Sequence, residues 1–479
     1  MAGRISRQPI TTAATALVLV WRLAAQSPAL TPEQRGVMDH ISPASLRGHL
    51  SFIASDLLEG RATPSRGLDL AAEYIAAQFR RAGLEPAGDD GYFQTASVTV
   101  REPNREDFSM TVSAGGRSMT IAAEEAYIAP AAPLRLDQAE LVIADGSQPF
   151  TADAVNGKAV LLTTQRVRFP GGARPALVLT LATALPTRPV VWEAESAPPA
   201  FPSGAIMKPE LAEFLRGAQD ARITLHSNAA SQTSIKTRNV AGILRGSDPQ
   251  LRETYVILSS HYDHLGMAST GTDRIYNGAN DDGSGTSSVI EIASALAAMP
   301  VHPKRSVLFM LFFGEEPGLW GSRFYARHPL VPPAQTVAGL NLEQVGRTDD
   351  SEGPQVRTAT ITGYDFSDLP GILADAAQTA GIRVYKHPKN SDGYFGRSDN
   401  QSLADLGIPA HTLSAAFEFP DYHKVSDTWD KIDYENMTAI DRAVALGMLR
   451  LASDAAPPKW NEAYPPARRY AEAGRRLHP

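Results

Sequence analysis

The strongest constraint in this sequence is a series of acidic and imidazole side chains set at the ends of apolar runs between residues 259 and 343. Tyr255-Val256-Ile257-Leu258 leads into Ser259-Ser260-His261-Tyr262-Asp263-His264, and the run from Ser306 to Phe313 leads into Gly314-Glu315-Glu316. Leu340-Asn341-Leu342 ends on Glu343, and Asn280-Asp281-Asp282-Gly283-Ser284-Gly285 lies between the first two runs. Short apolar runs bounded by turn residues read as buried strands. Charges that end such strands are costly unless they meet a partner, so these carboxylates must converge on something. His423 is a fifth candidate, far along the chain.

After Arg238-Asn239-Val240 the pattern alternates: strand 255 to 261, helix 285 to 299, strand 306 to 313, helix 319 to 327, strand 337 to 343. Such alternation predicts an α/β fold, a mostly parallel central sheet with helices on both faces. Ligands gather beyond the carboxyl ends of strands in these sheets, where His261, Glu315, Glu316 and Glu343 fall. Further strands are expected at 357 to 362, 382 to 386 and 409 to 413, with a closing helix from Thr438 to Ala452. Residues 45 to 59 and 67 to 83 read as amphipathic helices joined by a loop, with Leu68, Ala71, Tyr74, Ile75 and Phe79 on one face of the second. Strand-like segments at Phe93 to Val100 and Phe108 to Val112 are expected to form an edge of the main sheet.

From 126 to 228 the texture changes to Ala/Pro-rich connectors and short strands, with Asn156-Gly157 as a hairpin-type turn. This reads as a small β-rich domain inserted into a discontinuous domain of residues 40–125 and 229–456, or else as part of a longer sheet. Residues 457–479, rich in Pro and Arg, read as a surface tail.

The chain has 479 residues, no cysteine and a formal charge of -7. The charge disfavours nucleic acid as a partner, because phosphate binding needs a concentrated basic surface. Without cysteine there is no disulfide, thiolate site or cysteine nucleophile, so a bound metal must be held by imidazole and carboxylate. Arg4 and Arg7 ahead of the apolar stretch Ile10 to Trp21, with Ala24-Ala25 beyond, resemble a signal peptide over residues 1–25. The stretch is too short to span a bilayer, and Arg22 interrupts it, so no stable membrane anchor is expected and the chain is expected to be secreted or periplasmic.

Two divalent ions about 3.5–4 Å apart polarise a carbonyl, generate hydroxide near neutral pH and stabilise a tetrahedral intermediate. They need a bridging carboxylate and about two further ligands each, which His261, Asp281, Glu316, Glu343 and His423 supply with donors suited to zinc. Asp263 is placed to hold His261 from behind, and Glu315, pointing away from Glu316 in an extended chain, is the natural general base. His264 reads as structural rather than ligating. His411, on an expected core strand, carries no partner pattern.

These residues resemble the di-zinc aminopeptidases of the MH clan, which also includes glutamate carboxypeptidase II, glutaminyl cyclases and the non-catalytic transferrin receptors. The matching motifs are His261-Tyr262-Asp263, Gly278 to Gly285, Gly314 to Ser322, Asn341-Leu342-Glu343 and Tyr422 to Thr428. The resemblance implies a zinc exopeptidase fold, a protease-associated domain over 126–228, and two zinc ions bridged by Asp281. His261 and Glu343 would complete one site, Glu316 and His423 the other. It further implies Glu315 as base, Asp263 as the residue orienting His261, Tyr422 as an oxyanion donor and a cis peptide after Asp281. An aminopeptidase acting on peptide substrates is the leading expectation. Glu343 stands where aminopeptidases of this kind usually carry aspartate, which keeps carboxypeptidase or dipeptidase activity open. A glutaminyl cyclase or a non-catalytic receptor-like protein are the remaining alternatives.

Overall fold

The computed structural model describes residues 30–478 apart from 147–150, 165–168, 183–184, 186–188, 196–201 and 454–455. The expected signal segment, residues 1–25, lies outside the described residues. Among the described residues no helix is long and apolar enough to cross a membrane.

A ten-stranded sheet runs through the centre. Its middle is parallel: Ser306–Phe312, Tyr255–His261, Thr336–Leu342 and Ala410–Ser414 lie side by side in that order. Strand Ser306–Phe312 explains why. Its Val307, Phe309 and Leu311 enter one hydrophobic cluster, while Leu308, Met310 and Phe312 enter another on the opposite face. A strand apolar on both faces needs helices on both, as the crossovers of parallel strands provide. Helices Arg66–Ala82, Gly285–Ala297 and Tyr434–Ser453 cover the first face, and Trp320–Arg327 and Asn400–Asp405 the second. Within this sheet the parallel arrangement is confined to this core and to the outer pair Thr358–Ile361 and Arg383–Tyr385. Ser231–Leu244 and Phe93–Glu102 extend the other side antiparallel.

A second sheet of eight strands has its own core around Val112, Leu161, Leu179 and Ile223. It corrects two expectations. Ser109–Ala114 belongs to this sheet, between Arg117–Ile121 and Arg222–Ser227, and not to the edge of the main one. Phe93–Glu102 does join the main sheet, so the chain changes sheets between Glu102 and Ser109 rather than near 126. The Asn156-Gly157 turn does not make a hairpin either. Leu134–Ala144 and Ala159–Leu162 are parallel, and the connection between them carries the short helix Ala152–Val155. One strand of this region, Val190–Glu193, leaves the second sheet and pairs with Phe93–Glu102.

Residues 457–479 are not a loose surface tail. Helix Arg468–Leu477 buries Tyr470 against Phe366 and Phe395, and Trp460 Nε1 donates to Gly407 O at 2.8 Å. The aromatic residues, more than the Pro and Arg content, decided where this segment went.

Candidate metal centre

The site lies at the carboxyl ends of the four parallel strands. Asp281 is its middle. The Asp281 oxygens approach His261 Nε2 at 3.4 Å and His423 Nε2 at 3.2 Å, and His423 Nε2 is also 3.2 Å from Glu316 Oε2. His261, Asp281 and Glu343 bring one ligand atom each into a common cluster. Glu315 Oε2 stands 4.0 Å from His261 Nε2, while Glu316 points to the histidines on the other side. The two adjacent glutamates thus diverge from the turn that follows the strand, where Glu315 O accepts from Gly318 N at 2.8 Å, and not from the extended chain expected there.

These spacings test whether a metal fits. Ligands around a tetrahedral zinc at about 2.0–2.1 Å stand roughly 3.3 Å from one another, and the separations of 3.2 to 3.4 Å around Asp281 match that figure. His261 Nε2 is also buried without a hydrogen-bond partner. His264 forms a second cluster with Asp281 and Glu316. Its Nδ1 lies 2.6 Å from Glu316 Oε1. That is too short for two ligands of one ion and right for a direct contact that aims Glu316, so His423 is the better second-site imidazole. A structural role for His264 is legible in the sequence, but its contact with Glu316 comes only from the fold.

The loop carrying Asp281 is held from several sides. Asp427 accepts from Asn280 N at 3.0 Å and Asp281 N at 3.1 Å, and Asp282 accepts from Ser260 Oγ at 2.6 Å, Gly285 N and Gln344 N. The Asp281–Asp282 peptide bond is cis. Gly278 has φ +57 and sits against the His264 ring, where a Cβ would collide. Asp263 accepts Glu315 N at 3.0 Å and Thr63 Oγ1 at 3.2 Å. Towards His261 Nδ1 it presents its backbone carbonyl at 3.2 Å and its carboxylate at 3.5 Å. Tyr422 stacks on the His423 ring, 3.9 Å between centroids, and lines the same cavity.

Three supporting residues went unassigned at the level of sequence. Arg61, fully buried, donates to the carbonyls of Ile53, Tyr262, Asn277 and Gly278 and ties the 56–61 turn to the loops that carry His261 and Asp281. Asp427 lay in a noted motif without a role. Asp399 is buried with its carboxyl pushed up to about 7, first by burial and then by Asp263 and Glu343 against the pull of His261. None had a sequence signal beyond charge in a loop.

The electrostatics follow from packing many acids together. Burial, reinforced by Glu343, Asp399 and Glu316, drives the Glu315 carboxyl well above the usual range despite His261. Burial likewise raises Glu343. Burial works against ionisation of Asp281 as well, but its contacts with His261 and His423 hold its carboxyl far below the usual range. His423 is disfavoured as a cation by burial, yet Asp281 and Glu316 carry it up to about 10. The arrangement is one of carboxylates and imidazoles sharing protons in place of a cation.

Residues 239–448 match the profile of peptidase family M28. Among curated proteins, the chain is 27% identical over 253 residues to a probable glutamate carboxypeptidase, VP8, of Zea mays, covering 48% of this chain and 32% of that protein. The chain spans between about a third and a half of the length of the first curated relatives it matches. Among solved structures it is similar to an aminopeptidase from Aneurinibacillus sp. strain AM-1, with TM-score 0.59 and 19% identity over 88% of this chain and 97% of the other. It is also similar to a zinc aminopeptidase from Bacillus subtilis, with TM-score 0.57 and 20% identity over 86% of this chain and 96% of that one. At such identity the structures share a fold. The matched segment 239–448 contains the whole cluster from His261 to His423, so the likeness to peptidase family M28 covers the candidate site.

Proposed function

We propose that the protein is a zinc-dependent exopeptidase, most simply an aminopeptidase, in which Asp281, His261, Glu343, Glu316 and His423 would hold two Zn2+ ions. Asp281 would serve both positions, His261 and Glu343 would complete one, and Glu316 and His423 the other. The observation that carries this reading is the spacing of 3.2 to 3.4 Å between ligand atoms on both sides of Asp281. The fold shared with proteins described as aminopeptidases, one of them a zinc enzyme, supports it.

When bound, zinc supplies Lewis acidity for a scissile carbonyl and makes water more acidic. The chain's own residues do the rest. Glu315, as the carboxylate, takes the proton of the attacking water at Oε2, burial having raised its affinity for a proton, and hands it to the leaving amine. Asp263 fixes where Glu315 leaves its strand and holds the tautomer of His261. The Tyr422 phenol, kept protonated by burial and by the negative charge of Asp281 and Glu316, donates to the carbonyl oxygen as it gains charge. Residues 1–25 are proposed to direct export, and the second sheet to be a protease-associated module.

The test compares dipeptides blocked at the amino end with dipeptides blocked at the carboxyl end, using zinc-loaded protein. Cleavage that requires a free amine supports the aminopeptidase. Cleavage that requires a free carboxylate shifts the reading to a carboxypeptidase, which Glu343 and the maize relative would favour.

A further inference from the structure

The cavity over the metal centre has a volume of about 410 Å³ and is strongly acidic: Asp281, Glu315, Glu316, Glu343 and Glu418 all line it. Of its lining residues, only Arg397 bears a fixed positive charge. A cation in such company would be expected to pair with one of the acids. Arg397 does not. Its guanidinium lies over the ring of Tyr394, 4.5 Å from the centroid, and forms no ion pair among the described residues.

The support under this cation is built. The Tyr394 hydroxyl donates to Glu418 Oε1 at 2.9 Å, its ring packs edge-on against Phe417 at 5.1 Å, and Arg397 N donates to Tyr394 O at 3.0 Å. Stacking on an anchored ring lowers the freedom the side chain loses on binding. Arg397 is joined to the centre through its neighbour in the chain. The next residue, Ser398, accepts from Asn341 Nδ2 at 2.9 Å, and its hydroxyl hydrogen-bonds the Glu343 carboxyl. A substrate with its scissile carbonyl between Asp281 and Glu315 therefore reaches the wall of Arg397 within one or two residues, about 3.5 Å of chain each.

We propose that Arg397 determines specificity by receiving a carboxylate of the substrate, through the forked, charge-assisted geometry that guanidinium offers. The proposal rests on the exopeptidase reading above and narrows it to short peptides. The terminal carboxylate of a dipeptide is the group placed within reach; an acidic side chain following the scissile bond offers the same chemistry.

Steady-state kinetics of the full, zinc-loaded chain on Ala-Ala, Ala-Ala amide and Ala-Glu amide test it. The expected result is that kcat/KM for Ala-Ala exceeds that for Ala-Ala amide by about tenfold, mainly through KM, and that Arg397→Met collapses the ratio towards one. A preference for Ala-Glu amide, lost in the same variant, assigns the carboxylate to the side chain. Equal values for all three substrates, or a ratio unchanged in Arg397→Met, overturns the role of Arg397 while leaving the exopeptidase standing. No cleavage of any of the three overturns the exopeptidase reading and this proposal with it.

Discussion

Asp263 Oδ1 accepts the backbone N–H of Glu315 at 3.0 Å, so two strands, each followed by a candidate catalytic residue, are locked to one another just beyond the point where they leave the sheet. Because that lock acts through the backbone, the side chain of Glu315 can be exchanged without disturbing it. Glu315→Gln keeps size and hydrogen bonding but removes the base. It is expected to leave zinc content near normal and to lower kcat by about 10²–10⁴-fold. Zinc content by atomic absorption and turnover on a dipeptide check this, and residual activity within a few-fold of the parent would remove Glu315 from the reaction.

Zinc binding should release protons. Without metal, Asp281 and Glu316 hold His423 protonated up to about pH 10, and His261 is likewise raised well above its ordinary value. Only the neutral imidazole binds metal, so at pH 7 binding displaces protons and affinity falls as pH is lowered. Calorimetric titration with zinc in buffers of different ionisation enthalpy measures the number released. A value near zero at pH 7 contradicts the shared-proton description.

Arg61→Met should destabilise the protein by at least about 3 kcal/mol, since it strands buried carbonyls of Ile53, Tyr262, Asn277 and Gly278 that now share one guanidinium. Burial pulls the pKa of Arg61 down only to about 10, so the group is charged at neutral pH. Urea unfolding of the metal-free protein measures the change. A loss below about 1 kcal/mol would mean that water replaces the lost donors.

His411 predicts a pH dependence. Burial lowers its pKa from 6.5 to about 4, against a hydrogen bond to Thr362 O at 2.8 Å, while Ser367 Oγ lies 2.6 Å from Nε2. Above pH 6.5 the ring is neutral in both folded and unfolded chains and its contribution is complete. As pH falls from 6.5 towards 4 the unfolded chain gains a proton that the folded one refuses, and about 3 kcal/mol of stability is lost. The stability difference between parent and His411→Gln, followed from pH 8 to 4, should shrink over that interval. Parallel curves would contradict the assignment.

What the sequence determined by itself was the parallel core and the candidate ligands at its strand ends. Strands such as Ser306–Phe312, apolar from Val307 onward, can only be buried on both faces, and a carboxylate or imidazole at the end of each is visible because it breaks that run. The order of His261, Asp281, Glu315, Glu316, Glu343 and His423 along the chain was therefore legible. Tertiary structure decided what depends on contacts between distant segments. It gave His264 to Glu316, Asp427 to the Asn280–Asp281 amides, and four carbonyls to Arg61. It moved Ser109–Ala114 into the second sheet and folded Arg468–Leu477 onto Phe366 and Phe395. A short strand or amphipathic helix can satisfy its pattern against many surfaces, and packing alone selects among them.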